Sequence, residues 1–426
     1  MMSLVGHAVG AAVATLTPLP ALYGMLVVPA VAGNLDIREL EVLSLLRGDT
    51  AALIVFASMG VFIARAGIDV ELLLLQSSSG MVLALGFLPL FAETAFVTVA
   101  ASQALDISWR WAFLLGSLTA PMSPLVVMWT ALNLRRKELG SGGSVCSLLL
   151  VVSALDSAAA FCIFGVALKC AMDAESWASI AMAVFQLPSG ILIGAVIGFM
   201  SIYVPNEYNV HATFYRVEML LAVNVCSVIA FHYFLGMPAV GYLSAFTTAC
   251  VASNGWKTLS MDANKNTLRT MMSLSWLIMQ PLAMSIVGPH IYVSRLGGWR
   301  QLRFIGVLLC GVAVRMVVSV LCCVKSKRRW AERLFICIAC VPKGTVQLLT
   351  CSWTLLRGFP DDDAGGDAGG QAMAQMVLDC CVYALLVTGP LGTLLSSSLA
   401  PRLLRKSGEE EAPSENHQGN HPDMSF

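Results

Sequence analysis

Charge is what this sequence has least of. Among 426 residues only 12% are Asp, Glu, Lys or Arg, and the formal net charge is zero. A sparse and balanced charge set excludes nucleic acid as a partner, because phosphate binding needs a basic excess. Recognisable enzyme motifs are missing as well: there is no HExxH, no P-loop and no nucleophile elbow. Enzyme chemistry therefore has no foothold, and no cofactor is expected. Thirteen cysteines are present, but neither a disulfide scaffold nor a metal cluster is expected from them. Most lie inside apolar runs, including Cys322-Cys323 and Cys380-Cys381, where cysteine packs as a small hydrophobe. The one CxxC, Cys337 to Cys340, has no second pair and no nearby histidine. A basic n-region of a cleavable signal is also absent, so the first apolar run is expected to be retained.

Apolar residues fill the space that charge leaves. They make up 57% of the chain, and the mean hydropathy is +0.76. This is the composition of an all-α polytopic membrane protein, since about 20 helical residues cross the hydrocarbon of a bilayer. The first run, Leu4 to Gly33, is punctuated by Pro18, Pro20 and Pro29 and reads as one interrupted span or two short ones. A span ending near Arg65 follows, then Gly80 to Ala104 with Glu93 inside it, then Trp109 to Leu134. The last of these is broken by Pro121 and Pro124, which cannot sit in a continuous helix. After Val145 to Ala171 come runs at 179–204, 217–235, 238–254 and 270–294, the last interrupted by Pro281 and by Gly288-Pro289. Arg303 to Val324 carries Arg315, and Leu334 to Leu356 is broken where Pro342 and Gly344 flank Lys343. A Gly- and Asp-rich linker leads to a final span near Ala374 to Leu399, with Asp379 at its start as a helix cap. Residues 401–426 read as a disordered tail.

Asp156 is the residue that needs explaining, because it sits at the middle of the Val145 to Ala171 run. A charge at that depth costs about 2.5–3.5 kcal/mol and persists where it is paired or lines a water-filled path. Asp156 is therefore a candidate holder of a cation or proton in transit. The alternative is a structural carboxylate tied to a buried base. Glu93 and Arg315 are ionisable groups at similar depth.

The broken spans have matching neighbours. Glu93 lies 28 residues before Pro121, and Arg315 lies 27 before Pro342. Each break is followed by a span with an aspartate, Asp156 or Asp379. Loop charge gives the two halves opposite orientation, so this pattern reads as an inverted repeat of three spans. Such repeats with discontinuous helices point to the site of a secondary transporter. Residues lining the breaks, Pro121, Ser123, Pro124, Pro342 and Gly344, then become site candidates. Positive loops at 135–137 and 325–329 and after the last span share one side, which places the C-terminus in the cytoplasm. Arg295, Arg300 and Arg303 disagree with that count. The sequence does not distinguish the plasma membrane from an organelle.

The ordered stretches LPALYGMLVVPAVAGNL, RAGIDVE, SPLVV, SALDSAAAF, IMQPLAMSIVG, AVRMVVSVL and VPKGTVQ resemble the sodium/hydrogen exchanger-like domain proteins of animals, a group of cation:proton antiporters. The resemblance covers about Leu19 to Arg405. It implies the sodium/proton antiporter fold, with about 12–13 transmembrane helices and two crossing broken helices. It also implies a homodimer in membrane lipid that exchanges sodium or lithium for protons by an elevator motion. Residues 1–66 and 175–294 would then form dimerisation and linking spans, and 80–171 and 302–400 the two halves of the moving core. The family's ion site is a pair of aspartates, which falls here on Asp156 and Ser157, so Asp156 would hold Na+ or Li+ transiently. Lys343 is implied to pair with Asp156, and Glu93 with Arg315.

Departures from the family pattern matter equally. Ser157 replaces the second aspartate, and Trp129 replaces a proline. Leu277 and His290 stand where the family has carboxylates, and against the family pattern one leading span is expected to be missing. A transport-impaired paralogue with a structural or regulatory role is thus the alternative to an exchanger working through one carboxylate. A receptor or channel is a weaker third class, with no selectivity filter in the sequence. His232 reads as a hydrogen-bonded interior histidine.

Overall fold

The computed structural model describes residues 2–17, 19–35, 49–71, 79–139, 144–172, 177–204, 211–259, 265–292, 294, 298–326, 328–357 and 369–404. The acidic linker, Arg295 and most of the tail lie outside them. Helix dominates because a backbone in hydrocarbon must satisfy its polar groups within its own segment. In chain order the helices are α1 Met2–Leu16, α2 Leu22–Asn34, α3 Asp49–Asp69, α4 Ser79–Ala104, α5 Trp109–Thr119 and α6 Pro124–Arg136. They continue with α7 Ser144–Met172, α8 Trp177–Ile202, α9 Ala212–Ile229, α10 Pro238–Leu259 and α11 Lys265–Val287. The last four are α12 Trp299–Cys323, α13 Trp330–Ala339, α14 Thr345–Arg357 and α15 Gly370–Leu403. Nine helical segments among the described residues are long and apolar enough to cross a membrane, which makes this an integral multi-pass membrane protein.

The first apolar run resolves into two short helices rather than one span. α1 and α2 pack against each other as a hairpin. A Cβ on Gly24 would lie 2.6 Å from the Cα of Gly10, so the approach depends on glycine. Pro281 corrects an expectation: it lies inside the continuous helix α11, and regularity is lost only at the 3-10 turn Gly288–His290. A proline deletes a single ladder bond, and neighbouring membrane helices tolerate that.

The helices form two packed groups that meet at α7. In the first, α4 lies on α12 and α5, while α15 lies on α13 and α14. The second has α3 against α9, α10 and α11, and α8 against α10. Helix α7 touches both groups and is buried along nearly its whole length. Phe161 of α7 packs on Phe62 of α3 and Tyr242 of α10, with ring centroids 6.1 and 5.1 Å apart, tying α7 to the second group. α8 and α12 instead present Phe185, Leu192, Val317 and Leu321 outward, as helices facing lipid do. With every helix apolar on most faces, periodicity does not set their rotation. Close packing and the few buried polar groups do.

Both expected breaks are present. Ala120–Ser123 interrupts the span made of α5 and α6, and Cys340–Gly344 interrupts the span made of α13 and α14. Pro124 occupies the first turn of α6, where a missing N–H costs nothing.

Candidate functional site

The two breaks cross and bond to each other. The Ser123 amide donates to the Pro342 carbonyl at 2.8 Å, and the Gln347 side-chain amide donates to the Pro121 carbonyl. Gln347 also accepts from the Gly344 amide at 2.7 Å, and the Thr388 hydroxyl of α15 takes the Lys343 amide at 3.2 Å. Backbone groups freed by unwinding are thus re-satisfied inside the protein, as burial demands. A Cβ on Gly344 would fall 2.6 Å from the Ser123 hydroxyl, so the crossing needs a glycine there.

Four charged side chains from four spans converge on this crossing, each at most 1% exposed. Arg315 of α12 lies at the centre. Its Nη2 donates to Asp156 Oδ1 at 2.5 Å, and its Nη1 donates to Glu93 Oε2 at 3.1 Å. It also donates to the carbonyls of Ala120, at 2.8 Å, and Cys340, at 3.0 Å, so it clips both broken segments to the charges. The planar fork of arginine suits such simultaneous contacts. Lys343 holds Glu93 through both carboxylate oxygens at 2.7 Å and also donates to the Ala120 carbonyl. The remaining Asp156 oxygen accepts from the Met122 amide at 2.9 Å.

The structure therefore brings Glu93, Asp156, Arg315 and Lys343 together, but with a different pairing from the implied one. Glu93 does meet Arg315. Asp156, however, is held by Arg315 and not by Lys343, whose three donors are taken by Glu93 and Ala120. Arginine reaches two carboxylates at once, and the lysine ammonium takes both oxygens of Glu93. The freed carbonyls of Ala120, Pro121, Cys340 and Pro342 accept hydrogen bonds from protein groups. The formal sum of the four charges is zero, which is what makes such deep burial sustainable.

Ser157 lies one residue beyond Asp156 and is also buried, its hydroxyl donating to the Ser153 carbonyl at 2.8 Å. It keeps its acceptor lone pairs. Two more buried hydroxyls at the crossing, Ser123 and Thr345, have no hydrogen-bond partner. Sequence reasoning missed Thr345, Gln347 and Thr388, along with the Met122 amide. Thr345 and Gln347 stand in VPKGTVQ, where polar residues beside a break were the available signal. Nothing marked Thr388.

Outlying candidates fall elsewhere. Asp379 is not a cap at a helix start. It lies inside α15, is 6% exposed, and accepts from Gln375 at 3.2 Å. His232 is buried, bonded through Nδ1 to the Tyr242 hydroxyl at 2.8 Å, and packed on Phe56 and Trp353. His290 contacts the Ile286 carbonyl at 3.0 Å in the turn after α11. Leu277 and Trp129 contribute nothing to the charge cluster.

Two crossing broken helices with buried charges at the crossing define the sodium/proton antiporter class of membrane fold. The sodium proton antiporter MjNhaP1 of Methanocaldococcus jannaschii at pH 8 superposes with a TM-score of 0.76. It is 15% identical and matches over 96% of this chain and 97% of its own. In sequence the chain is similar to sodium/hydrogen exchanger 9B2 of Homo sapiens, 26% identical over 403 residues, 92% of this chain and 71% of that protein. The bison 9B2 protein is 27% identical over 420 residues, covering 95% and 73%. Sodium/hydrogen exchanger 9B1 of Macaca fascicularis is 26% identical over 391 residues, covering 91% and 74%. No protein-family model matches. The chain is thus similar in sequence to animal sodium/hydrogen exchangers of the 9B group, and it has the fold of the MjNhaP1 antiporter.

Proposed function

We propose that the chain exchanges a monovalent cation, sodium or lithium, for protons across a membrane, with Asp156 as the one exchanging carboxylate. The observation that carries this is the neutral, fully buried four-charge cluster at the crossing of the breaks. Adding a cation to Asp156 leaves that cluster one positive charge in excess at low dielectric, and losing one proton restores the balance. Arginine does not give up its proton. The proton comes from Lys343, whose loss of charge returns the cation-loaded cluster to zero. Ser157, Ser123 and Thr345 supply neutral oxygens that suit a hard cation. Arg315 swings off Asp156 as the cation enters and keeps its bond to Glu93. With a single exchanging carboxylate the count is one cation for one proton, so transport is electroneutral.

The spans at 80–171 and 302–400 act as a core that moves against those at 1–66 and 175–294 in an elevator motion. The working form is a homodimer in membrane lipid with its C-terminus in the cytoplasm. The test is proton flux in proteoliposomes driven by a sodium or lithium gradient. Flux is expected in the wild type, unaffected by an imposed membrane potential and abolished in Asp156→Asn. Folded wild type that matches empty liposomes rejects the proposal.

A second reading is favoured by one observation: both oxygens of Asp156 are already taken, and the neighbouring position is a serine bonded to its own helix. On that reading the chain is a transport-impaired paralogue. Flux gained in Ser157→Asp over a silent wild type supports it, and flux in the wild type removes it.

A further inference from the structure

Beside the charge cluster lies a chamber of about 680 Å³ between the two helix groups. Its walls include Phe87 and Phe91 of α4, Ala159 and Cys162 of α7, Ile191 of α8 and Leu243 of α10. None of the described residues lining it is charged, and the only hydroxyl side chains among them are Thr94 and Thr247. Its size falls within the range of about 300–1,000 Å³ that buries a ligand. A path for hydrated ions would need polar walls, and a cavity walled by carbon stays dry.

We propose that this chamber is filled by a hydrocarbon chain of a membrane lipid entering between α4 and α8. The location supports that occupant. Phe91 and Ile191 line the chamber and are each about half exposed, and they adjoin Leu88 and Leu192, which face outward from the same helices without lining it. The mouth therefore opens on the lipid-facing surface, where hydrocarbon is the surrounding solvent. Two packed groups standing apart across such a volume would forfeit the dispersion contacts that hold interiors together, and a chain restores them. The chain also covers the side of α7 formed by Leu155, Ala158 and Ala159, which flank the Asp156–Ser157 pair. It seals that side against water, so ions reach Asp156 from elsewhere. This inference rests on the membrane fold and is independent of the exchange reading.

The experiment reconstitutes the full chain into nanodiscs of phosphatidylcholine bearing a diazirine midway along one acyl chain, photolyses it and maps adducts by peptide mass spectrometry. Adducts are expected on Leu155–Val166 and Leu243–Cys250 as well as on the outer residues Leu88 and Leu192. In Leu243→Trp, which narrows the chamber beside α7, the inner adducts fall about tenfold, equivalent to ~1.4 kcal/mol of occupancy, while the outer ones persist. A second readout needs no variant: wild-type Cys162 in nanodiscs resists a charged methanethiosulfonate. Adducts confined to the outer residues overturn the proposal. So does modification of Cys162 by the charged reagent, which would make the chamber an aqueous vestibule.

Discussion

The charge crossing and the apolar chamber flank the same stretch of one helix, α7. At the crossing Asp156 is enclosed by an arginine, a backbone amide and, one contact further on, a lysine and a glutamate. Two and three positions along, Ala158 and Ala159 look into a cavity without a charged lining. The contrast teaches that depth in the membrane does not decide whether a carboxylate is tolerated. What decides is the presence of donors already in place, because the cost of a charge is set by what replaces its water.

Substitutions on the two sides of α7 sharpen this comparison. Arg315→Leu removes the cation shared by Asp156 and Glu93 and leaves a buried carboxylate without its partner. A loss of about 3–5 kcal/mol is expected, read as a collapse of the thermal transition in detergent or of folded yield. Ala159→Asp adds a carboxylate on the apolar side, and a cost of about 2.5–3.5 kcal/mol is expected by the depth penalty. If that variant melts like the wild type, the chamber is wet and the contrast fails. Gly344→Ala pushes a methyl group into the Ser123 side chain at the crossing. Overpacking of about 1–3 kcal/mol is expected, with transport lost more steeply than stability because the breaks are held apart. Thr388→Val removes the hydroxyl that accepts the Lys343 amide and leaves that buried N–H unsatisfied, a change of about 1–3 kcal/mol. A larger effect would mean that α15 positions the lysine.

Much of this was legible in the sequence, for a physical reason. Lipid forces long, hydrogen-bonded apolar segments, so the spans announce themselves. Prolines at 121, 124 and 342 mark the breaks because they remove donors that nothing in lipid replaces. Buried charges are rare enough for Glu93, Asp156, Arg315 and Lys343 to stand out singly. Pairing was not legible, since four charges on four spans allow more than one arrangement, and only the coordinates show Arg315 reaching both carboxylates. Pro281 carries the same local signal as Pro342 yet stays within a helix, because tertiary neighbours decide which broken ladder is repaired. Asp379 repeats the position of Asp156 in the second half but accepts from Gln375 of its own helix and lies outside the four-charge cluster. The chamber is invisible in sequence, because its alanines, leucines and phenylalanines match those of any packed span.

The central claim is that a cation and a proton compete for a cluster that tolerates one of them at a time. Proton release on cation binding tests it most directly, measured with a pH-indicating dye on purified, weakly buffered protein titrated with sodium or lithium chloride against a choline control. The account expects one proton released per cation bound and no release from Asp156→Asn. Binding without release, or release that survives that substitution, would contradict it.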